Sequence, residues 1–355
     1  MRILAVDIGA GTEDMLLYDD EKESVENCVK MVLPSPSQVF AAKVRQATRL
    51  CQDLFIKGDI IGGGAFSSAL QTHVATGLRV VMTETAAYTI RNDLGEVKEA
   101  GIEITKGRKP EAFKGTTMIL EEVNLAKLEA FLVDFNETLD NVDVVAVAVQ
   151  DHGVFPKGTS NRRFRIQTMK NLLETNPVPE ALAFKKDEIP PYFLRMKSAV
   201  KASRRQLPDA DVLVMDTAPA AVLGCLMDHA IGDDPILVIN VGNGHTMAAI
   251  IEGGRIARLL EHHTRALNPQ SIEKLVVDFT DGVLTDEEVF EAGGHGLFLI
   301  EEPPSFSKVK KIVATGPNRN ILAKTKLQVH FAAPAGDVMM TGPMGLIEAT
   351  KRKFC

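Results

Sequence analysis

Two stretches decide how this chain is read: Asp7-Ile8-Gly9-Ala10-Gly11-Thr12 and Asn240-Val241-Gly242-Asn243-Gly244-His245-Thr246. Each follows a short apolar run, Ile3–Val6 or Ile236–Ile239, and each is followed by another, Met15–Tyr18 or Met247–Ile251. The pattern is strand, glycine-rich turn, strand. Glycines at alternate positions let backbone N–H groups approach phosphate oxygens with no Cβ in the way. A dinucleotide fingerprint is excluded, because there the glycines open a helix. A P-loop is excluded too, since no Gly-Lys-Ser/Thr follows either turn. A single turn of this kind is equally at home in an ordinary hairpin. The recurrence of the pattern about two-thirds of the chain later is what implies two related lobes.

Working outward, short apolar runs alternate with helical-period segments, as in a layered α/β protein. Strands are expected near 2–7, 13–18, 26–32, 78–83, 142–150, 212–215, 236–241, 245–251, 255–260, 309–315 and 326–332, with another ending in Gly62-Gly63-Gly64. Helices are expected near 37–54, 65–76, 124–138, 219–228, 269–280, 285–292, 319–325 and 337–353. The turn cluster Gly232-Asp233-Asp234-Pro235 marks the boundary between lobes. The expected organisation is a first lobe over 1–232, a second over 233–340, and a C-terminal helix over 341–355 packing back on the first.

Composition narrows the function classes. The 355 residues carry 40 Lys and Arg against 47 Asp and Glu, a net charge of −7 that argues against coating nucleic acid by bulk charge. With 16 Phe, 3 Tyr and no Trp, stacking platforms for single strands are not expected. No apolar run approaches the ~20 residues of a membrane span, and the N-terminus reads as a core strand rather than a signal peptide. A cytoplasmic protein is expected. Cys28, Cys51, Cys225 and Cys355 lack metal or redox spacing, which excludes a three-cysteine iron–sulfur loop. The stretch 151–205 holds 12 basic and 5 acidic residues, so it is +7 beside a remainder of −14. This stretch, much of it Pro-rich and irregular, reads either as a solvated cap with a basic helix or as a lid that recruits an anionic partner.

Taken with three further segments, the two turns resemble the actin/hexokinase/heat-shock-chaperone ATPase superfamily. Asp7–Thr12 is similar to its first phosphate motif and Ile239–Thr246 to its second. Val212–Gly224 resembles its first connecting segment, Ile312–Asn318 its adenosine motif, and Asp337–Ala349 its second connecting helix. The resemblance implies an actin-like ATPase fold: two ribonuclease-H-like lobes with ATP and Mg²⁺ in the cleft between them. Asp7 would organise the metal. Gly9, Gly11, Thr12, Gly242, Asn243, Gly244, His245 and Thr246 would hold phosphates, while Thr315, Gly316 and Asn318 would meet the nucleoside. Asn240 stands where many members carry Asp, which removes a second acidic contact to metal. The run Asp7–Asp14 and the segment Gln150–Gly153 also resemble a prokaryotic family named for activating pyruvate formate-lyase, an activity the cysteine pattern does not support.

Other residues suggest chemistry. Asp216-Thr217 matches the Asp-Thr pair that supplies the general base in hexokinase-like members; Asp216 is equally a good helix N-cap. Gln150-Asp151-His152-Gly153 is similar to a sugar-contacting Gln-Met-His-Gly stretch in carbohydrate kinases, and an anchoring Asp/His pair is the competing reading. Glu261, His262 and His263, with His152 and the Gly293-Gly294-His295-Gly296 segment, read as substrate contacts, metal ligands or structural histidines. The expected function is an ATP-dependent phosphotransferase or ATPase acting on an unidentified, anionic acceptor. Two alternatives stay open, a nucleotide-sensing regulatory module and a metal-dependent hydrolase, as does oligomerisation.

Overall fold

Val144–Val149 is apolar at every position and buried at every position, the mark of a strand covered on both faces. Val144, Ala146 and Ala148 enter one core, and Val145, Val147 and Val149 enter another. The computed structural model describes residues 1–355 except Ala112, Asp233, Asp234 and Pro303. Asp233 and Asp234 of the inter-lobe turn, and the boundary drawn there, therefore lie outside the described residues.

In chain order, β1 (Arg2–Ile8), β2 (Thr12–Asp19) and β3 (Val29–Pro34) form an antiparallel meander, and α1 (Pro36–Arg49) follows. A small parallel sheet comes next: β4 (Leu54–Gly58), α2 (Gly64–Ala75), β5 (Val80–Thr83), α3 (Glu84–Ala87), α4 (Leu94–Glu99), β6 (Ile102–Thr105) and β7 (Thr116–Leu120). Its strand order is β6-β5-β4-β7. α5 (Leu125–Leu132) leads back to β8 (Val144–Val149), then α6 (Asn161–Thr175), β9 (Ala183–Lys185), α7 (Leu194–Gln206), β10 (Asp211–Met215) and α8 (Thr217–Cys225). The remainder holds β11 (Ile236–Val241), β12 (His245–Glu252), β13 (Arg255–His263), α9 (Pro269–Thr280), α10 (Asp286–Glu291), β14 (Gly296–Leu299), β15 (Lys311–Thr315), β16 (Val329–Phe331) and α11 (Thr341–Phe354).

The two large sheets repeat one topology. The first runs β3-β2-β1-β8-β10-β9, and β8 and β10 lie parallel to β1. The second runs β14-β13-β12-β11-β15-β16, and β15 and β16 lie parallel to β11. Three antiparallel strands followed by two parallel to the first is the ribonuclease-H-like order. Its duplication gives the expected actin-like ATPase fold. β9 and β14 each extend one sheet by an antiparallel strand.

Between the sheets, α8 and α11 cross at very short range. A Cβ on Gly224 would overlap the Thr341 carbonyl, and one on Gly345 would overlap the Ala220 carbonyl. The small residues Ala220, Ala221 and Gly224, and Gly342 and Gly345 opposite, permit this approach. α11 also lies against β1 and β8, covering the face that carries Ile3, Ala5 and Ala148.

The strand expected to end in Gly62-Gly63-Gly64 ends earlier, at Gly58, and the structure departs from expectation in three larger respects. The parallel sheet of β4–β7 is larger than the sequence pattern indicates, because β6 and β7 are short and only partly buried. The insert at 151–205 contains two helices and β9 where a solvated cap with one basic helix is expected, and much of its charge is turned inward or neutralised. Arg165 is buried and Arg195 mostly so, each in ion pairs, Arg163 reaches Asp286 and Glu287, and Arg205 pairs with Asp59. Finally, β13 continues through His263, so Glu261, His262 and His263 lie on a strand and alternate between its faces.

Candidate functional site

The turns after β1 and β11 meet across a cleft. A Cβ on Gly11 would overlap the Asn243 amide, so the two turns touch where glycine stands. Both close alike: the Gly9 N–H donates to Thr12 O at 2.9 Å, and the Gly242 N–H donates to His245 O at 3.0 Å. The N–H groups of Ala10, Gly11, Asn243 and Gly244 have no hydrogen-bond acceptor among the described residues. Four free donors on facing turns form a cradle for an anion. As it stands the cleft holds about 100 Å³, less than the roughly 300–1,000 Å³ of most small-molecule sites.

Below the first turn stand two acids. Asp7 and Asp14 are paired residues of β1 and β2, so their side chains share a face. One oxygen of each, Asp7 Oδ1 and Asp14 Oδ1, is buried with no hydrogen-bond partner. Burial, then the neighbouring Asp14 charge, pushes the Asp7 carboxyl well above its usual range, and burial lifts Asp14 to about 7. Strand alternation aims Asp7 at α11, where only glycine fits: a Cβ on Gly342 would overlap Asp7 Oδ2. Orphaned carboxylate oxygens at the floor of an anion cradle are a donor set suited to Mg²⁺, a hard cation that favours oxygen.

Asp216 ends β10 and caps α8, accepting from the Ala218 N–H at 3.3 Å. Both its oxygens are also held by Arg165, Nη1 to Oδ2 at 2.7 Å and Nη2 to Oδ1 at 2.9 Å. The same guanidinium binds Glu261, Nε to Oε2 at 2.7 Å and Nη2 to Oε1 at 2.9 Å. All three side chains are at most 5% exposed. A carboxylate whose two oxygens are both held by one arginine has those oxygens already engaged. The geometry therefore favours the N-cap reading of Asp216 and adds a second role. With Glu261 on the second sheet and Asp216 on the first, Arg165 ties the two lobes together.

Asp151 is an anchor rather than a group facing the cleft. Its carboxylate accepts from the N–H groups of Gly153, Arg195 and Met196 at 2.9, 2.8 and 3.1 Å, which fixes the start of α7. Arg195 pairs with the buried Glu122 and passes over Gly62, so Gly62-Gly63-Gly64 serves close packing and does not line the cleft. Sequence reading missed Arg165, Arg195 and Glu122, since nothing in a basic stretch signals which arginines turn inward.

Gln150 lies 2.8 Å, Nε2 to Nδ1, from His245, and both line the inner part of the cleft. His152, His245 and His295 converge, with one ring nitrogen of each within 4.8 Å of the others. His263 packs against His245 and His295 at ring-centroid distances of 4.8 and 4.9 Å. His262 points to the opposite face of β13, against Gly294, and stands apart from this group. Burial holds His152 well below its usual range and His245 at about 3, so both rings are neutral at pH 7.

The remaining predicted contacts divide. Thr12, Thr315 and Gly316 line the cleft, and Gly316 adopts φ +95°, where a Cβ would overlap Val241 O. Thr315 Oγ1 is engaged with Thr341 at 3.0 Å, leaving little for a ligand. Asn318 Nδ2 donates to Gly242 O at 3.0 Å, pinning the second turn. The buried Thr246 hydroxyl lies 3.0 Å from Thr264, which in turn binds Gly242 O at 2.9 Å. Asn318 and Thr246 thus hold the turn from behind.

A sequence family described as "Putative pyruvate format-lyase activating enzyme (DUF1786)" matches residues 61–321, well over half of the chain. The chain belongs to this family. Its four cysteines lie apart, Cys28 and Cys225 buried and Cys51 and Cys355 exposed, so they do not form the cluster an iron–sulfur activase requires. No curated protein sequence matches. Similar solved structures include the PilM-PilN type IV pilus biogenesis complex (11% identity, 98% of each chain, TM-score 0.42). An actin-like ATPase-fold protein of unknown function from Bacteroides thetaiotaomicron is similar at 10% identity over 97% of this chain and 95% of the other (TM-score 0.36). The ROK hexokinase of Thermus thermophilus is similar at 14% identity over 72% of this chain, which spans about half, 48%, of the hexokinase (TM-score 0.25). At these scores the fold rests on the strand order described above. Among the described residues no helix is long and apolar enough to cross a membrane.

Proposed function

We propose that this protein binds ATP with Mg²⁺ in the cleft between its two ribonuclease-H-like sheets, as a phosphotransferase or ATPase. The observation that carries this reading is the pair of facing turns with four free N–H groups, set above two carboxylates with orphaned oxygens. The N–H groups of Ala10, Gly11, Asn243 and Gly244 would bind β- and γ-phosphate oxygens. Asp7 and Asp14 would hold Mg²⁺, which neutralises charge on the phosphates. Parting of the sheets would admit the nucleotide and closure would exclude water. Four unpaired cysteines fit a reducing, cytoplasmic setting.

A second reading, a nucleotide-driven regulatory module, is favoured by the Arg165 clamp on Asp216. With its base candidate occupied, the cleft is better equipped to convert nucleotide binding into lobe closure than to deprotonate an acceptor. An anionic acceptor or partner remains part of the proposal, through the exposed lysines of the 151–205 stretch. Titration calorimetry with a non-hydrolysable ATP analogue and Mg²⁺ tests the shared premise, and absence of binding refutes both readings. Phosphate release or transfer across an acceptor panel then separates them: turnover supports the enzyme, and tight binding without turnover supports the module.

A further inference from the structure

We propose that His152, His245 and His295 form a transition-metal site, best suited to Zn²⁺, at the inner end of the cleft. The three residues come from three elements that the fold alone brings together: the loop after β8, the start of β12 and the loop before β14. One ring nitrogen from each lies within 4.8 Å of the other two. A metal about 2.1 Å from each nitrogen needs them about 3.4 Å apart, so the rings close by no more than about 1.4 Å.

The nitrogens are free to bind. His295 is fully buried, and both its ring nitrogens lack a hydrogen-bond partner; so does the buried Nε2 of His245. Orphaned nitrogens inside a protein are costly, and both His295 and His245 carry one within this three-histidine cluster. Supporting groups sit where a metal-bound imidazole needs them. Glu261 Oε2 stands 3.0 Å from His295 Nδ1, off the line of a straight hydrogen bond, and a small rotation of the ring aligns the pair. The Gln150 amide stands 2.8 Å from His245 Nδ1 and, turned oxygen-first, accepts its proton. Each arrangement leaves Nε2 as the ligand atom, as in carboxylate–histidine–metal units. The arginine beside the cluster does not oppose a cation, since Asp216 and Glu261 together balance it.

The loop carrying His295 has no room to wander. A Cβ on Gly294 would meet the His262 ring and Val289, Gly296 holds φ +134°, and the His295 N–H donates to Glu261 O at 2.9 Å. Three protein ligands leave a fourth position for water or a substrate oxygen. Because His245 also lines the cleft, that position is next to the proposed phosphate cradle.

The test is independent of nucleotide. Tag-free protein, stripped with a chelator, is titrated with Zn²⁺ by calorimetry and with Co²⁺ by visible absorption. One equivalent bound with three-nitrogen, low-coordinate cobalt bands is expected. Loss of His295 or His152 (H295A, H152A) weakens Zn²⁺ binding by more than about 100-fold, beyond the usual effect of a supporting group, whereas H229A at an exposed position does not. Circular dichroism of the stripped variants separates ligand loss from unfolding. The proposal is overturned if stripped wild-type protein binds no Zn²⁺ in the micromolar range, or if folded H295A and H152A bind as wild type does. Neither outcome bears on MgATP binding, which is measured separately.

Discussion

Replacing Arg165 with methionine tests the central ionic link directly. The substitution keeps much of the aliphatic bulk and removes the guanidinium that holds Asp216 and Glu261, both nearly inaccessible. Removing one partner of a buried pair costs about 3–5 kcal/mol, because a charge is left uncompensated. Here two carboxylates are left. Each can escape by protonation, at about 1.4 kcal/mol per pH unit above its ordinary pKa near 4, hence about 4–5 kcal/mol at pH 7.5. The expected loss in R165M is therefore between about 3 and 9 kcal/mol. Neutralising the stranded acids as well, in R165M/D216N/E261Q, is expected to recover most of it, since neutral amides cost far less to bury. Urea unfolding at pH 7.5 in chelator, followed by circular dichroism, reads all three proteins. A loss under about 1 kcal/mol in R165M, or a triple variant no more stable than the single, would refute the claim that this ion pair network bears on stability.

The other predictions concern the cleft and the helix crossing. D7N is expected to raise the thermal stability of nucleotide-free protein, by removing a buried acid whose ionisation is disfavoured there, and to lower affinity for MgATP at least tenfold; calorimetry and melting curves should move in opposite senses. G342A brings a methyl onto Asp7 Oδ2, so it is expected to weaken MgATP binding despite the helix-favouring residue, and unchanged affinity would contradict the placement of Asp7. G345A forces α8 and α11 apart at the Ala220 carbonyl. It should destabilise by about 1–3 kcal/mol, a drop visible in the urea midpoint.

Much of this architecture is legible in one dimension. Apolar runs such as Val144–Val149 and Ile236–Ile239 announce central strands, because a strand buried on both faces cannot alternate. Two glycine turns in matching settings announce a duplicated lobe. The short strands β6 and β7 are not legible, since four or five half-exposed residues carry no period distinct from loop. Asp216 shows the limit at a site. Its place at a strand end before a helix is local and readable, but the arginine that occupies it is 51 residues away.

By itself, the sequence determined the α/β class, the two phosphate-type turns, the acid beneath the first and the absence of clustered cysteines. These are properties of spacing and residue type over a few positions, where local sterics and strand periodicity rule. Only the tertiary structure decided that the two turns touch at Gly11 and Asn243, that Arg165 joins Asp216 to Glu261, and that three histidines separated by 93 and 50 residues meet at one point. Those contacts are set by how two sheets and the α8–α11 crossing pack. Such long-range burial assigns a charged or imidazole side chain to core or solvent without leaving a mark on its sequence neighbours.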